Sequence, residues 1–140
     1  MRLFIDTNLF LRYFTKDNQE MYETVEKILL CVLHSEIRIA TSTIVLTEIM
    51  YTLQSFYKCD QKTIQKHVDS ILQIANLVLI DETNFRRAYE YHKKKKVKIS
   101  DCLIVTQVPE KYKLCSFDEE LKNIIGKSRF ISPEEVIKDS

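Results

Sequence analysis

Apolar residues along this chain fall into two rhythms: short continuous runs, and longer stretches at helical spacing. The first run, Leu3 to Ile5, stops at Asp6-Thr7-Asn8, where the Asp or the Thr can cap a following helix. From about Glu20 to Leu33, the positions Val25, Ile28, Leu29, Val32 and Leu33 share one helical face. Ile37 to Ala40 reads as a second strand, and Thr41-Ser42-Thr43 supplies caps for a helix to about Tyr57. Gln61 to Ala75 is a further amphipathic helix, and Leu77 to Ile80 a third strand. Asp81-Glu82-Thr83 then opens a helix toward His92, and Ser100-Asp101 opens one to about Val108. Lys113 to Ser116 is the fourth strand, with a helix from Asp118 to Ile125. Arg129 to Ile131 suits a short fifth strand before a last helix near Pro133, a residue at home in a first turn.

Strands alternating with helices predict an α/β fold: a three-layer α/β/α arrangement around a mainly parallel sheet of four to five strands. Continuous runs such as LFI and LVLI fit strands buried on both sides. In such folds ligands bind beyond the carboxyl ends of the strands, where the strand order reverses. That rule directs attention to residues just past each strand.

Composition narrows the picture. At 140 residues, 1–140 reads as a single domain large enough for a proper core. One glycine and two prolines disfavour an all-β sandwich or barrel, which needs many tight turns. The net charge of +1 gives no global positive field, so an anionic substrate must be held by local charge or by metal. The four cysteines, at 31, 59, 102 and 115, form no C-x-x-C pair and have no histidine at knuckle spacing. They read as reduced structural thiols, which fits a cytoplasmic home. Asp6 interrupts the apolar N-terminal stretch, which argues against a signal peptide or a membrane span.

Four acids then stand out. Asp6 follows the first strand and Asp118 the fourth, so both belong on the carboxyl edge of the sheet. Asp101 opens a helix whose first turn can face the same edge. Each Asp also has a capping or dipole reading: Asp6 as a cap, Asp101 behind Ser100, and Asp118 within the S-x-x-E spacing of Ser116 and Glu119. Glu48 is different. It sits in the largely apolar stretch IVLTEIMYTL with no Lys or Arg at i±3 or i±4, so it either reaches an exposed edge or needs a shared cation.

The blocks LFIDTNLFL (3–11), STIVLTEIMYTL (42–53), SDCLIVTQ (100–107) and LCSFDEEL (114–121) resemble the four acidic motifs of the PIN-domain family, in family order and across most of the chain. They are most similar to its VapC-type toxin branch. The resemblance implies that Asp6, Glu48, Asp101 and Asp118 are catalytic metal-binding acids, with Thr7, Asn8 and Ser116 in support. It implies a metal-dependent endoribonuclease that leaves a 5′-phosphate and a 3′-hydroxyl, working as the toxin of a toxin–antitoxin pair. The partners it implies are an RNA substrate, an antitoxin that blocks the acidic site, and a second copy in a homodimer. Ser100 departs from the pattern, standing where the family often has Gly, and the helix after Asp101 lacks the usual alanines. Hard carboxylate donors without His or Cys select Mg2+ or Mn2+ rather than zinc.

The run KKKKVK (Lys93 to Lys98) precedes the Asp101 block. Lys93, Lys94, Lys95 and Lys96 read either as a solvated helix end or as a phosphate-contacting rim. His34, His67 and His92 read as isolated surface residues. Three competitors remain. A haloacid-dehalogenase-like phosphatase wants a second Asp where Asn8 stands. A receiver-type phosphoacceptor wants an acidic pair near the first strand, and none is present. A catalytically inactive PIN-like RNA-binding scaffold is disfavoured by the retention of all four acids.

Overall fold

The computed structural model describes residues 1–139. Its centre is a five-stranded sheet built from β1 (Arg2–Ile5), β2 (Arg38–Ser42), β3 (Val78–Ile80), β4 (Lys113–Cys115) and β5 (Phe130–Ile131). The spatial order is β3-β2-β1-β4-β5, and every pairing is parallel. The expectation of a mainly parallel sheet is thus met by a wholly parallel one. Order reverses between β1 and β4, where Ile5 lies opposite Cys115, so the crevice favoured for ligands opens just past those two residues.

The helices are α1 (Thr7–Thr15), α2 (Gln19–Leu33), α3 (Thr43–Ser55), α4 (Gln61–Leu72), α5 (Phe85–Lys95), α6 (Ile99–Gln107), the single turn α7 (Lys122–Ile125) and α8 (Pro133–Asp139). Together with the sheet they make the three-layer α/β/α fold. Leu3, Phe4 and Ile5 of β1 are buried on both faces, as are Ile39 and Ala40 of β2 and Leu114 and Cys115 of β4. Leu9, Ile28, Ile49, Leu53 and Ile104 bring the helices onto this layer. Burying one such side chain is worth about 1.5–3 kcal/mol. No helix among the described residues is long and apolar enough to cross a membrane.

Several expectations need correction. LVLI was expected to be buried on both sides, but β3 is an edge strand, with Val78 40% and Leu79 42% exposed. Asp81 does not open α5: Asn84 does, accepting from the Arg87 amide at 3.1 Å. Ser100 is not a cap either, since α6 starts at Ile99 with Lys98 at the cap position and no side-chain cap bond. The expected helix from Asp118 splits into a 3-10 turn at Glu119–Leu121 followed by α7. His67 stacks on Phe14 at 4.1 Å between centroids, and His92 Nδ1 lies 2.6 Å from the Val97 carbonyl, so neither is an isolated surface residue.

The shortage of glycine has a backbone consequence. Lys16, Ser35, Lys58, Asn76 and Lys96 all take left-handed φ values between 53° and 63° just past helices. Glycine usually fills such positions, because a Cβ there meets the following carbonyl.

Candidate functional site

Asp6 is the pivot of the site. Its backbone N–H donates to the Cys115 carbonyl at 3.1 Å, which stitches the end of β1 to β4. Its carboxylate caps α1, with Oδ1 accepting from the Thr7 amide at 2.8 Å. The capping reading is therefore correct, and it leaves the site reading intact. Oδ2 accepts a 2.6 Å bond from Ser116 Oγ, on the residue just past β4. The Ser116 hydroxyl in turn accepts from Asn8 Nδ2 at 3.1 Å and from the Asp118 amide at 3.0 Å. Asn8 closes the ring, its Oδ1 accepting from the Phe117 amide at 3.2 Å. One serine oxygen, with a donor and two acceptor positions all used, thus ties the start of α1 to the segment after β4.

Glu48 comes from the buried half of α3. Its Oε1 accepts from Thr7 Oγ1 at 3.0 Å, and its Oε2 lies 3.7 Å from Lys98 Nζ. The partner missing on its own helix is supplied by two other segments. Asp101, in the first turn of α6, is half-buried. Asp118 caps the 3-10 turn, its Oδ1 accepting from the Glu120 amide at 3.1 Å. The expected Ser116–Glu119 capping box does not form, because Glu119 pairs instead with Lys122 at 3.0 Å.

The electrostatics bind these groups together. Burial pushes the Asp6 carboxyl up from 3.8 to about 6, against the lowering pull of Ser116 and Thr7, and Asp101 and Glu48 add repulsion. Asp101 is also raised, chiefly by burial; Lys98 opposes this, while Glu48, Asp118 and Glu120 reinforce it. Asp101 is therefore the common neighbour, within electrostatic reach of Asp6, Glu48 and Asp118, and Asp6 is also within reach of Glu48. A cleft of about 660 Å³ opens beside them, lined by Lys95, Lys96, Lys98, Asp101, Asp118 and Glu120 among others.

The lysine run divides. Lys95 and Lys96 line the cleft. Lys93 pairs with Glu90 at 3.0 Å and lies over the Tyr89 ring, which makes it helix surface. Sequence reasoning passed over Lys98 and Glu120. Lys98 was hidden inside the basic run, and no spacing rule singles out Glu120.

With the side chains as they lie, no three acidic, His or Cys groups among the described residues are close enough to enclose a metal. The donor set nonetheless fits a hard divalent ion. Every donor is a carboxylate, Asp6 is buried with no cation of its own, and each oxygen it uses for a hydrogen bond keeps a further lone pair. A second cavity, of about 870 Å³, lies between α1, α2 and α4. It is lined by apolar groups such as Phe10, Phe14, Leu30 and Ile74, and none of the four acids reaches it.

Comparisons with known proteins bear on the fold and the family. A crystal structure of VapBC2 from Rickettsia felis bound to a DNA fragment from their promoter shares the fold, with a TM-score of 0.64. The match covers 94% of this chain and 97% of that chain, at 23% identity. Among curated protein sequences none matches. Residues 3–127 match the PIN domain, and the chain belongs to the PIN-domain family.

Proposed function

We propose that the chain is a divalent-metal-dependent endoribonuclease, the toxin of a VapC-type toxin–antitoxin pair. The observation that carries this reading is the convergence of Asp6, Glu48, Asp101 and Asp118, from four separate segments, at the strand-order reversal. Membership of the PIN family supports nuclease chemistry. Asp6, Glu48 and Asp101 would hold Mg2+ or Mn2+, and Asp118 would complete the set. When bound, the ion would supply charge neutralisation and Lewis acidity at the scissile phosphodiester.

The chain's own residues do the remaining work. Ser116 and the Thr7 amide fix the Asp6 carboxylate, so it needs little reorganisation to receive a cation. Thr7 holds one oxygen of Glu48 toward the same place. Lys95 and Lys96 supply positive charge along the cleft, where an RNA backbone can lie. Water gives up a proton and attacks phosphorus, the P–O3′ bond breaks, and the leaving 3′-oxygen takes up a proton, so the products carry a 5′-phosphate and a 3′-hydroxyl.

An antitoxin partner is supported by likeness to the VapBC2 pair. A homodimer is the state that the family resemblance implies. Light scattering on the purified chain reads that state directly. The nuclease reading is tested with total RNA and purified protein, with and without Mg2+ or Mn2+, beside Asp6→Asn. Metal-dependent cuts that vanish in the variant are expected. Intact RNA with the wild-type protein and either ion would refute the reading, and cuts persisting in Asp6→Asn would refute the assignment of the site.

A further inference from the structure

Lys98 stands where helix physics disfavours it. It occupies the cap position of α6 with no side-chain cap bond, so its charge opposes the positive end of the helix dipole. Its ammonium lies 3.7 Å from Glu48 Oε2, while Thr7 holds the other oxygen of that carboxylate. At 3.7 Å the contact is too long for a good hydrogen bond, which leaves a loose electrostatic pair. The two side chains are unequal: Lys98 is 66% exposed and Glu48 only 23%, so the lysine end swings into solvent more readily. Lys98 also borders the cleft, together with Lys95, Lys96 and Asp101.

We propose that Lys98 is a built-in counter-cation of the acidic cluster, displaced from Glu48 by a divalent ion and then turned toward the phosphate of the bound RNA. This rests on the metal-dependent nuclease reading above. Before the ion arrives, the ammonium partly neutralises Glu48 and keeps the half-buried acids from repelling one another. Once the ion takes Glu48 and Asp101, like charges force the ammonium away, and the substrate backbone lying along the cleft is an anion to which it can turn. One lysine thereby lowers metal affinity in the free protein and raises RNA affinity in the loaded one.

The test starts from protein without RNA, titrated with Mn2+ by calorimetry, for wild type, Lys98→Gln, Lys98→Arg and Asp101→Asn. Lys98→Gln should bind Mn2+ about three- to tenfold more tightly than wild type, with Lys98→Arg close to wild type. Polyuridylate binding is compared between wild type and Lys98→Gln, both loaded with Ca2+ in place of Mn2+ and with the RNA checked intact on a gel. Lys98→Gln should bind more weakly, with a salt slope shallower by about 0.7. Unchanged or weaker Mn2+ binding by a Lys98→Gln protein that circular dichroism shows to be folded would overturn the counter-cation role. An unchanged salt slope would overturn the phosphate role. If Asp101→Asn binds Mn2+ as tightly as wild type, the ion does not sit at these acids, and the metal reading falls together with this one.

Discussion

Replacing Asp6 by Asn should make the metal-free protein more stable at neutral and alkaline pH while removing its proposed chemistry. The carboxyl is pushed from 3.8 to about 6 in the folded chain, mainly by burial. An acid whose proton affinity is higher folded than unfolded favours folding when protonated and opposes it when ionised. The penalty is therefore complete above about pH 6 and gone below about pH 3.8. Two decades of proton affinity correspond to about 3 kcal/mol. Asn keeps the acceptor for the Thr7 amide, but the Ser116 hydroxyl, which already accepts twice, then has no acceptor for its own proton. That loss costs about 1–2 kcal/mol. The net gain is about 1–2 kcal/mol, or about 3–6 °C in Tm for a chain of this size. Urea unfolding in a chelator at about pH 8 and about pH 5 measures it, and by the lower pH the advantage should be close to zero. An Asp6→Asn protein less stable than wild type at the higher pH, or a difference equal at both, would refute the argument. Added Mg2+ should raise wild-type stability and leave the variant where it was.

Three further outcomes follow from the same geometry. Ser116→Ala breaks the link between Asp6, Asn8 and the Asp118 amide, and should cost about 2 kcal/mol in urea unfolding and about 10–100-fold in RNA cleavage. Lys95→Gln with Lys96→Gln should weaken RNA binding and flatten its salt dependence, whereas Lys93→Gln, at a residue paired with Glu90, should leave both unchanged by filter binding. Lys58→Gly relieves a left-handed φ of 58° at an exposed position and should raise stability by about 0.5–1 kcal/mol in thermal unfolding, against a glycine that costs chain entropy when unfolded.

Much of this molecule is legible in its residues because strands and acids obey local rules. A run of apolar residues that ends on Asp6 or at Ser116 marks a strand's carboxyl end, and parallel pairing brings both ends to one edge. Glu48 was conspicuous because its own helix offers no partner. The errors cluster where local chemistry is degenerate. Asp81, Ser100 and Asn84 are all competent caps, and only packing of the 81–84 segment near α6, with the Glu82 carbonyl accepting from Gln107, selects Asn84. LVLI looks like a central strand, yet a three-residue strand at the sheet's end has no neighbour beyond it. Lys98 was invisible because its meaning depends on Glu48, fifty positions earlier in the chain.

The pairing of β1 with β4 also sets when the acids can meet during synthesis. The first strand leaves the ribosome early, but its neighbour on the Asp118 side is more than a hundred residues behind it in sequence. Until that segment emerges, Asp6 has neither Ser116 nor Asp118 beside it, and no shorter stretch of the chain can rebuild the cluster. The acidic cluster can therefore assemble only late in translation, once the segment that follows β4 has emerged.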